Sequence, residues 1–490
     1  MQAGSAEAER MARTGILIDN QWRASESSRT IAVLAPATGE EFTRIAAGTN
    51  VDVDAAVSAA RRAVETGAWG RMNAAERGRL LSRMAIAVAD HAEELAELEA
   101  RDTGKPIRQA RNDMVAAARY FEFYGGGADK VHGDTIPFLN GHFATTERVP
   151  HGVTAHIIPW NYPAQMFPRS VGPALAMGNA VVMKPAEEAC QTPLRMAELM
   201  VEAGFPEGAI NMVTGFGHEA GAALSSHPDI DFISFIGSNQ TGVQVQTAAA
   251  RNHIGCTLEL GGKSAQIVFA DADLDAALPV LINAVVQHAG QTCSAGSRLL
   301  VEKAAYDRIV ERVADRFAGV RVGTPEMDLD LGPVVSSRQR DRVLDFCDRA
   351  AADELPLIAE GQMTPNLPAG GFFVQPKLYG PVPRSNRLAH EEVFGPVMAV
   401  LPFEDEADAV ALANATSYGL VAGIWTRDGS RAVRVGRKMK AGQVFVNCYG
   451  AGGGIELPFG GMKKSGHGRE KGFEALYEFS ALRTMVIKHD

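Results

Sequence analysis

Cysteine is scarce in this chain, five residues in 490. Cys190, Cys256, Cys293, Cys347 and Cys448 stand far apart and form neither a CxxC pair nor a dense framework. That excludes a disulfide-stapled fold and a cysteine-rich metal module, so no metal is expected, and reduced thiols suit a cytoplasmic protein. Long apolar runs are also missing. None approaches the roughly 18 residues that span a bilayer, and no membrane partner is expected. The stretch through Thr14 is polar and carries both charge signs; it lacks the apolar core, roughly 7 to 15 residues long, of a secretory signal. Basic clusters are absent too. With a formal net charge of −10, nothing offers a phosphate backbone a positive stripe, which argues against nucleic acid and for a small-molecule partner.

What the chain does have is size and ordinary globular composition. At 490 residues with 46% hydrophobic and 22% charged, it exceeds the length at which one core stops growing, so two large domains are expected. Near the start, Ala55, Val57, Ala60 and Ala63, then Leu80, Leu81, Met84, Ala85 and Val88, recur at helical spacing. From Val153 the pattern becomes short apolar runs alternating with helical segments. Residues 153 to 158, 180 to 183, 209 to 213, 231 to 236 and 256 to 260 read as strands. Between them a helix over 193 to 203 is predicted, with Thr192 as its cap, Pro193 at its first position and Gly204 past its end. This βα alternation implies an α/β fold with a doubly wound, mostly parallel sheet that binds ligands beyond the strands' carboxyl ends.

After Gly261-Gly262 a second α/β stretch begins. A strand at 265 to 269 and a helix through Leu274, Ala277, Leu278, Leu281 and Val285 are followed by strands at 298 to 302, 397 to 402, 421 to 425 and 444 to 447. No fixed-period repeat is present.

Three separated segments carry chemistry. In Gly290-Gln291-Thr292-Cys293-Ser294-Ala295-Gly296, a cysteine among small residues leaves room for a reacting carbonyl, although a lone intracellular cysteine is more often a small buried hydrophobe. In Leu258-Glu259-Leu260-Gly261-Gly262-Lys263, a carboxylate closes a strand. Alone it reads as an ion-paired glutamate; beside a thioester it is a suitable general base for water. In Ile157-Ile158-Pro159-Trp160-Asn161-Tyr162-Pro163, an amide stands at the ligand edge of the sheet. A turn asparagine before a proline-started helix is the plain reading, and an oxyanion donor, worth about 3 kcal/mol, is the catalytic one.

With these segments in view, the chain resembles the aldehyde dehydrogenase superfamily from residue 16 to the C-terminus. The resemblance rests on motifs in order: Pro159-Trp160-Asn161, Lys184-Pro185-Ala186-Glu187, Phe235 to Gly242, Glu259-Leu260-Gly261-Gly262, Gly290-Gln291-Thr292-Cys293, Glu391-Glu392-Val393-Phe394-Gly395-Pro396 and Pro458-Phe459-Gly460-Gly461. It implies Cys293 as nucleophile, Glu259 as base and Asn161 as oxyanion donor. The implied reaction is NAD(P)-dependent oxidation of an aldehyde to a carboxylic acid through a thiohemiacetal and a thioester. For the cofactor it implies Ile158, Pro159 and Trp160 along one wall, Lys184 and Glu187 at the adenosine ribose, and Gly237, Ser238 and Thr241 at the pyrophosphate turn. Glu392 and Phe394 then hold the nicotinamide ribose, and Leu260 and Gly261 also belong to the cofactor-binding set.

The turn Gly237-Ser238-Asn239-Gln240-Thr241-Gly242 departs from GxGxxG, but a strand followed by a helix start still aims N–H groups at a phosphate. A carboxylate at Glu187 favours NAD, while Lys184 can tolerate NADP. Ile236 replaces the family's usual hydroxyl residue before this turn. Tyr162, Gln165, Arg169, Thr292, Ser294 and Phe459 are expected to line the aldehyde pocket, with Met166 also on the helix. Arg169, where many relatives carry an aromatic residue, either faces an acidic substrate tail or makes a surface ion pair. Gly450, Ala451, Gly452 and Gly453 replace bulkier residues on the opposite wall.

The resemblance further implies a flexible N-terminus over 1–15 and an NAD-binding Rossmann-like domain over 16–129 and 151–261. A catalytic domain spans 262–463, with an oligomerisation segment and tail at 130–150 and 464–490. Phe143 to Val149 is expected as an edge strand and Arg483 to Lys488 as a strand pairing across a subunit boundary, giving a homodimer or homotetramer. Two rival readings remain. A CoA-acylating enzyme is opposed by Glu259, and a non-catalytic binding or structural relative by the presence of Cys293, Glu259 and Asn161 together. A cofactor-free hydrolase would need His288 as its base, and no orienting partner for it is evident.

Overall fold

A computed structural model describes residues 14–450 and 454–489. Residues 1–13 and Ala451 to Gly453, on which the flexible start and part of the glycine wall fall, lie outside the described residues. Two large sheets organise the rest. The first has eight strands, in the order Gln21–Arg23, Ile16–Ile18, Ile210–Met212, Ala180–Lys184, Val153–Ile157, Phe232–Ile236, Gly255–Glu259 and Gly466–His467. The five strands from Ile210–Met212 to Gly255–Glu259 are parallel, and antiparallel strands close both sides. Ala180–Lys184 and Phe232–Ile236 are buried at every position, as strands covered by helices on both faces must be. Strand order reverses at Val153–Ile157, so the crevice between the ends of that strand and Phe232–Ile236 is the topological switch point.

The second sheet has seven strands, in the order Leu357–Glu360, Lys377–Tyr379, Val397–Phe403, Arg298–Glu302, Ala265–Val268, Val421–Trp425 and Gln443–Val446. All pairings are parallel except that of its first strand. Each sheet has its own hydrophobic core. A third, small cluster of Leu420, Val421, Phe445 and Phe459 has Cys293 and Tyr449 packed against it. Among the described residues no helix is long and apolar enough to cross a membrane.

Two expectations change. The helix over 193 to 203 runs Gln191–Glu202, so Thr192 lies in its first turn and Cys190 occupies the cap position without a side-chain cap. The orphan N–H of Gln191 donates instead to the Asp102 carboxylate at 2.8 Å, from a neighbouring helix, Ala92–Thr103. Asp102 is fully buried, so Asp102→Ala is expected to lower unfolding stability by about 1–2 kcal/mol, read as a lower urea midpoint. The segment Phe143 to Val149 belongs to His142–Pro150, which is central rather than an edge, flanked by Thr135–Ile136 and Ser480–Lys488. The tail therefore pairs within its own chain, Arg483 opposite Glu147 and Lys488 opposite His142. The antiparallel register runs over nine residues along one side of the tail strand, and its other side has no paired neighbour among the described residues.

Candidate active site at the switch point

The turn after Val153–Ile157 carries Ile158, Pro159, Trp160 and Asn161 into the crevice and leads into the helix Pro163–Ala176. Proline at the first helical position costs no hydrogen bond there. Thirteen of the fourteen helical residues are buried, Gln165 being the exception, so the helix is a rigid wall, and it carries Gln165, Met166 and Arg169.

Cys293 arrives from the opposite side, at the amino end of Arg298–Glu302. The helix Leu274–Val286 ends in a tight turn where His288, Ala289 and Gly290 all have positive φ. Gly290 is required there, because a Cβ would lie 2.2 Å from the carbonyl oxygen of Gly395. Gly262 is required equally: its Cβ would sit 2.5 Å from the Cys293 carbonyl oxygen. The loop is tied to the first sheet's edge by Asn161, whose Nδ2 donates to the Gln291 carbonyl at 2.9 Å. Gln291 Oε1 accepts from Val335 N at 2.9 Å, Tyr162 and Thr292 share a hydroxyl bond of 2.9 Å, and Tyr449 OH donates to the Ser294 carbonyl at 2.6 Å. Asn161 is 3% exposed, and one of its two amide hydrogens remains beyond that bond.

A cavity of about 1140 Å³ opens on this loop and is lined by Cys293 together with all six expected pocket residues, Tyr162, Gln165, Arg169, Thr292, Ser294 and Phe459. Burial pushes the Cys293 thiol up to about 12, and the Arg169 charge pulls it down. Glu259 ends its strand behind this wall, 3% exposed. Neither of its oxygens has a hydrogen-bond partner among the described residues. Burial holds its carboxyl well above the usual range, with Arg169 the main opposing influence. Arg169 is not on the surface, contrary to one of its two readings. It is 4% exposed, with Nε 2.5 Å from Glu470, Nη2 3.7 Å from Glu259 and its guanidinium 4.4 Å from the Phe459 ring centre. A buried guanidinium needs a carboxylate, and a surface pair would have left the cavity wall apolar. His288 is buried, its ring nitrogens have no hydrogen-bond partner among the described residues, and burial holds it well below the usual imidazole range. It is therefore no base for Cys293.

The remaining expected residues follow the carboxyl ends of the first sheet's parallel strands or, like Glu392 and Phe394, contact residues that do. Lys184 Nζ donates to Glu187 at 3.1 Å, and Gly217 N donates to the same carboxylate at 3.3 Å. Burial alone would push Glu187 up; Lys184 and these N–H groups outweigh it. Ser238 caps the helix Asn239–Arg251 by accepting from Thr241 N at 3.2 Å, and Gly237 N donates to the Glu259 carbonyl at 3.0 Å. Glu392 Oε1 accepts from Gly262 N at 2.8 Å. A Cβ on Gly261 would lie 2.2 Å from Glu392 Oε2, and burial pushes this carboxyl up to about 7. Phe394, at φ 61°, meets the Trp160 ring edge-on at 5.4 Å. Leu260 and Ile236 are buried. Glu470 escaped the sequence reading. Its only local signal is a charged run among glycines, Gly468-Arg469-Glu470-Lys471-Gly472.

Known proteins share this fold over nearly the whole chain. The model of the aldehyde dehydrogenase family matches residues 22–485. Aldehyde dehydrogenase 1A1 of Rattus norvegicus is 43% identical over 479 residues, covering 97% of this chain and 95% of its own. PnpE, solved in complex with nicotinamide adenine dinucleotide, is 41% identical with a TM-score of 0.95, covering 98% of both chains. A Burkholderia cenocepacia protein of known structure is 59% identical with a TM-score of 0.96, covering 97% of this chain and 100% of that one. With two mostly parallel sheets meeting at one cysteine loop and near-complete coverage at these identities, the chain belongs to the aldehyde dehydrogenase family.

Proposed function

We propose that the chain oxidises an aldehyde to a carboxylic acid with NAD, using Cys293 as nucleophile, Asn161 as oxyanion donor and Glu259 as base. The observation that carries this reading is the junction of Asn161 and the Cys293 loop, the 2.9 Å bond to Gln291, at the wall of a cavity large enough for substrate. The crevice fits a dinucleotide. Gly217 has open space where a Cβ would stand beside the Glu187 carboxylate, which can accept from ribose hydroxyls, and the thirteen-residue helix Asn239–Arg251 starts where a pyrophosphate would lie. Glu392, Phe394 and Trp160 would flank its nicotinamide half, a reading supported by the Trp160–Phe394 ring contact. NAD supplies the two-electron oxidation.

The protein's own part divides in two. Cys293 sulfur attacks the aldehyde carbon, and the remaining Asn161 hydrogen and a backbone N–H of the loop take the charge that builds on oxygen. After oxidation, Glu259 removes a proton from water, the water oxygen bonds to the thioester carbon, the carbon–sulfur bond breaks, and the acid leaves. Glu259 is what favours hydrolysis over transfer to CoA. The test is NADH absorbance with a panel of aliphatic, aromatic and carboxylate-bearing aldehydes. NADH formation without CoA is expected; a strict need for CoA, or no reduction of NAD or NADP across the panel, would overturn the reading.

We also infer a cytoplasmic homo-oligomer, dimer or tetramer. The five cysteines are all free, and Ser480–Lys488 ends its sheet with Leu482, Met485, Val486 and Ile487 exposed, an unpaired apolar edge that a second copy can cover.

A further inference from the structure

Behind the cavity wall a chain of polar groups crosses the interior of the first sheet. Glu259 Oε2 lies 3.7 Å from Arg169 Nη2, and Arg169 Nε lies 2.5 Å from Glu470 Oε2. Glu470 Oε1 accepts from Ser234 Oγ at 3.1 Å. Ser234 Oγ lies 3.1 Å from Ser170 Oγ, Ser170 Oγ 2.7 Å from His156 Nδ1, and His156 Nε2 2.8 Å from Thr154 Oγ1. Glu470, Ser170, His156 and Thr154 are fully buried and Ser234 is 1% exposed. Such a chain through a hydrophobic sheet is costly unless every member is satisfied.

Proton bookkeeping gives the chain a direction. Ser234 spends its single hydrogen on Glu470, so it can only accept from Ser170. Ser170 then has no hydrogen for His156 and must accept from Nδ1–H, and Nε2 accepts the Thr154 hydroxyl hydrogen at 2.8 Å, the shorter of the two contacts that hydroxyl makes, the other being the Ala180 carbonyl at 3.3 Å. That arrangement requires a neutral imidazole, and burial depresses His156 to about 3. Every donor therefore points toward the Glu470 carboxylate, which faces Arg169 with its other oxygen. Of this arrangement only Arg169 reaches the cavity wall, and its far end is Glu259.

We propose that Arg169 is a positioning residue for the hydrolytic half-reaction, held from behind by Glu470 and the Thr154, His156, Ser170 and Ser234 donor chain, so that its Nη2, 3.7 Å from the carboxylate, aims Glu259 and favours its charged form. This rests on the assignment of Glu259 as base. The groups that face Glu259 are Arg169 from its helix, Arg469, Glu470 and Lys471 from the C-terminal segment, and Cys293 from its loop. Arg469 Nη1 is directed to the carbonyls of Gly461 and Gly468, and Lys471 lies against the Tyr120 and Phe459 rings. Arg169 is the cation held at 3.7 Å. Because it also lowers the Cys293 thiol, the two half-reactions must be read separately.

The experiment is stopped-flow NADH formation from pH 5.5 to 9.5, with the burst reporting acylation and the slow phase hydrolysis. Removing the cation raises the Glu259 ionisation point, so in Arg169→Met the acid limb of the slow phase is expected to move up by about one pH unit, roughly a tenfold loss on that limb. Arg169→Lys restores part of the shift, and Ser234→Ala moves the limb the same way by less. Ser234→Ala retains the Arg169 charge and keeps the test alive if Arg169→Met does not fold. An acid limb unmoved in the variants that fold, or burst and slow phase reduced equally at every pH, would overturn the proposal. A wild type that reduces NAD without a burst means that hydrolysis does not limit turnover; the limb is then read by single-turnover loss of the acyl-enzyme. A wild type that never reduces NAD sinks the assignment of Glu259, and the proposal with it.

Discussion

Cys293→Ala is expected to lower NADH formation by about four orders of magnitude or more, because no other described residue lining the cavity carries a thiol that could form a hydrolysable thioester. The buried His288 lacks hydrogen-bond partners on its ring nitrogens among the described residues, and the other four cysteines are not among the lining residues. Stability should change little, since Cys293 packs at the margin of the small cluster of Leu420, Val421, Phe445 and Phe459. The wild-type acylation rate carries a second signature. With the thiol pushed up to about 12 by burial, the thiolate is the minor form at neutral pH, so the burst rate should climb as pH rises from 7 to 9. A variant retaining more than a hundredth of wild-type turnover, with an unchanged burst, would place the chemistry elsewhere.

Glu259→Gln separates the two halves of the cycle. The amide is isosteric and cannot take a proton from water, so one equivalent of NADH per active site should form at a near-normal rate and turnover should then fall by about two to four orders of magnitude. Mass spectrometry of the stalled enzyme should find the acyl group on Cys293. Because the wild-type carboxyl is held above its ordinary range chiefly by burial, and Arg169 pulls it down, wild-type hydrolysis should be lost as pH falls through that raised value. In Glu259→Gln that limb should be absent. Equal loss of burst and steady state would mean that Glu259 serves an earlier step.

How far these residues could be read from sequence depended on how local their environment is. The strands at 153, 180, 232 and 298 were legible because strands covered on both faces read as continuous apolar runs. The glycines at 261 and 262 marked a close approach that the structure explains by the Glu392 carboxylate and the Cys293 carbonyl. Non-local partners stayed hidden. Nothing near Thr192 shows that Asp102 takes over the cap, and nothing near Arg169 shows that its counterion lies about three hundred residues away, at Glu470. His156 read as one more residue of an apolar strand, because a buried histidine is recognised only by its partners Ser170 and Thr154. The edge reading of Phe143 to Val149 failed for the same reason: alternation defines a strand's faces and carries no information on how many neighbours it has.

The antiparallel strand that closes the first sheet has a consequence for biogenesis. Gly466–His467 pairs with Leu258 and Glu259, and Arg483 reaches back 336 positions to Glu147. While a ribosome is still making the chain, the strand carrying Glu259 is therefore a bare margin, and His142–Pro150 lacks a neighbour on one side. Closing loops of this length is slow, and unpaired margins invite sticking to other nascent chains. A segment translated long after its partners is thus the one that seals the sheet, so termination before residue 466 should yield a product that aggregates rather than one with reduced activity.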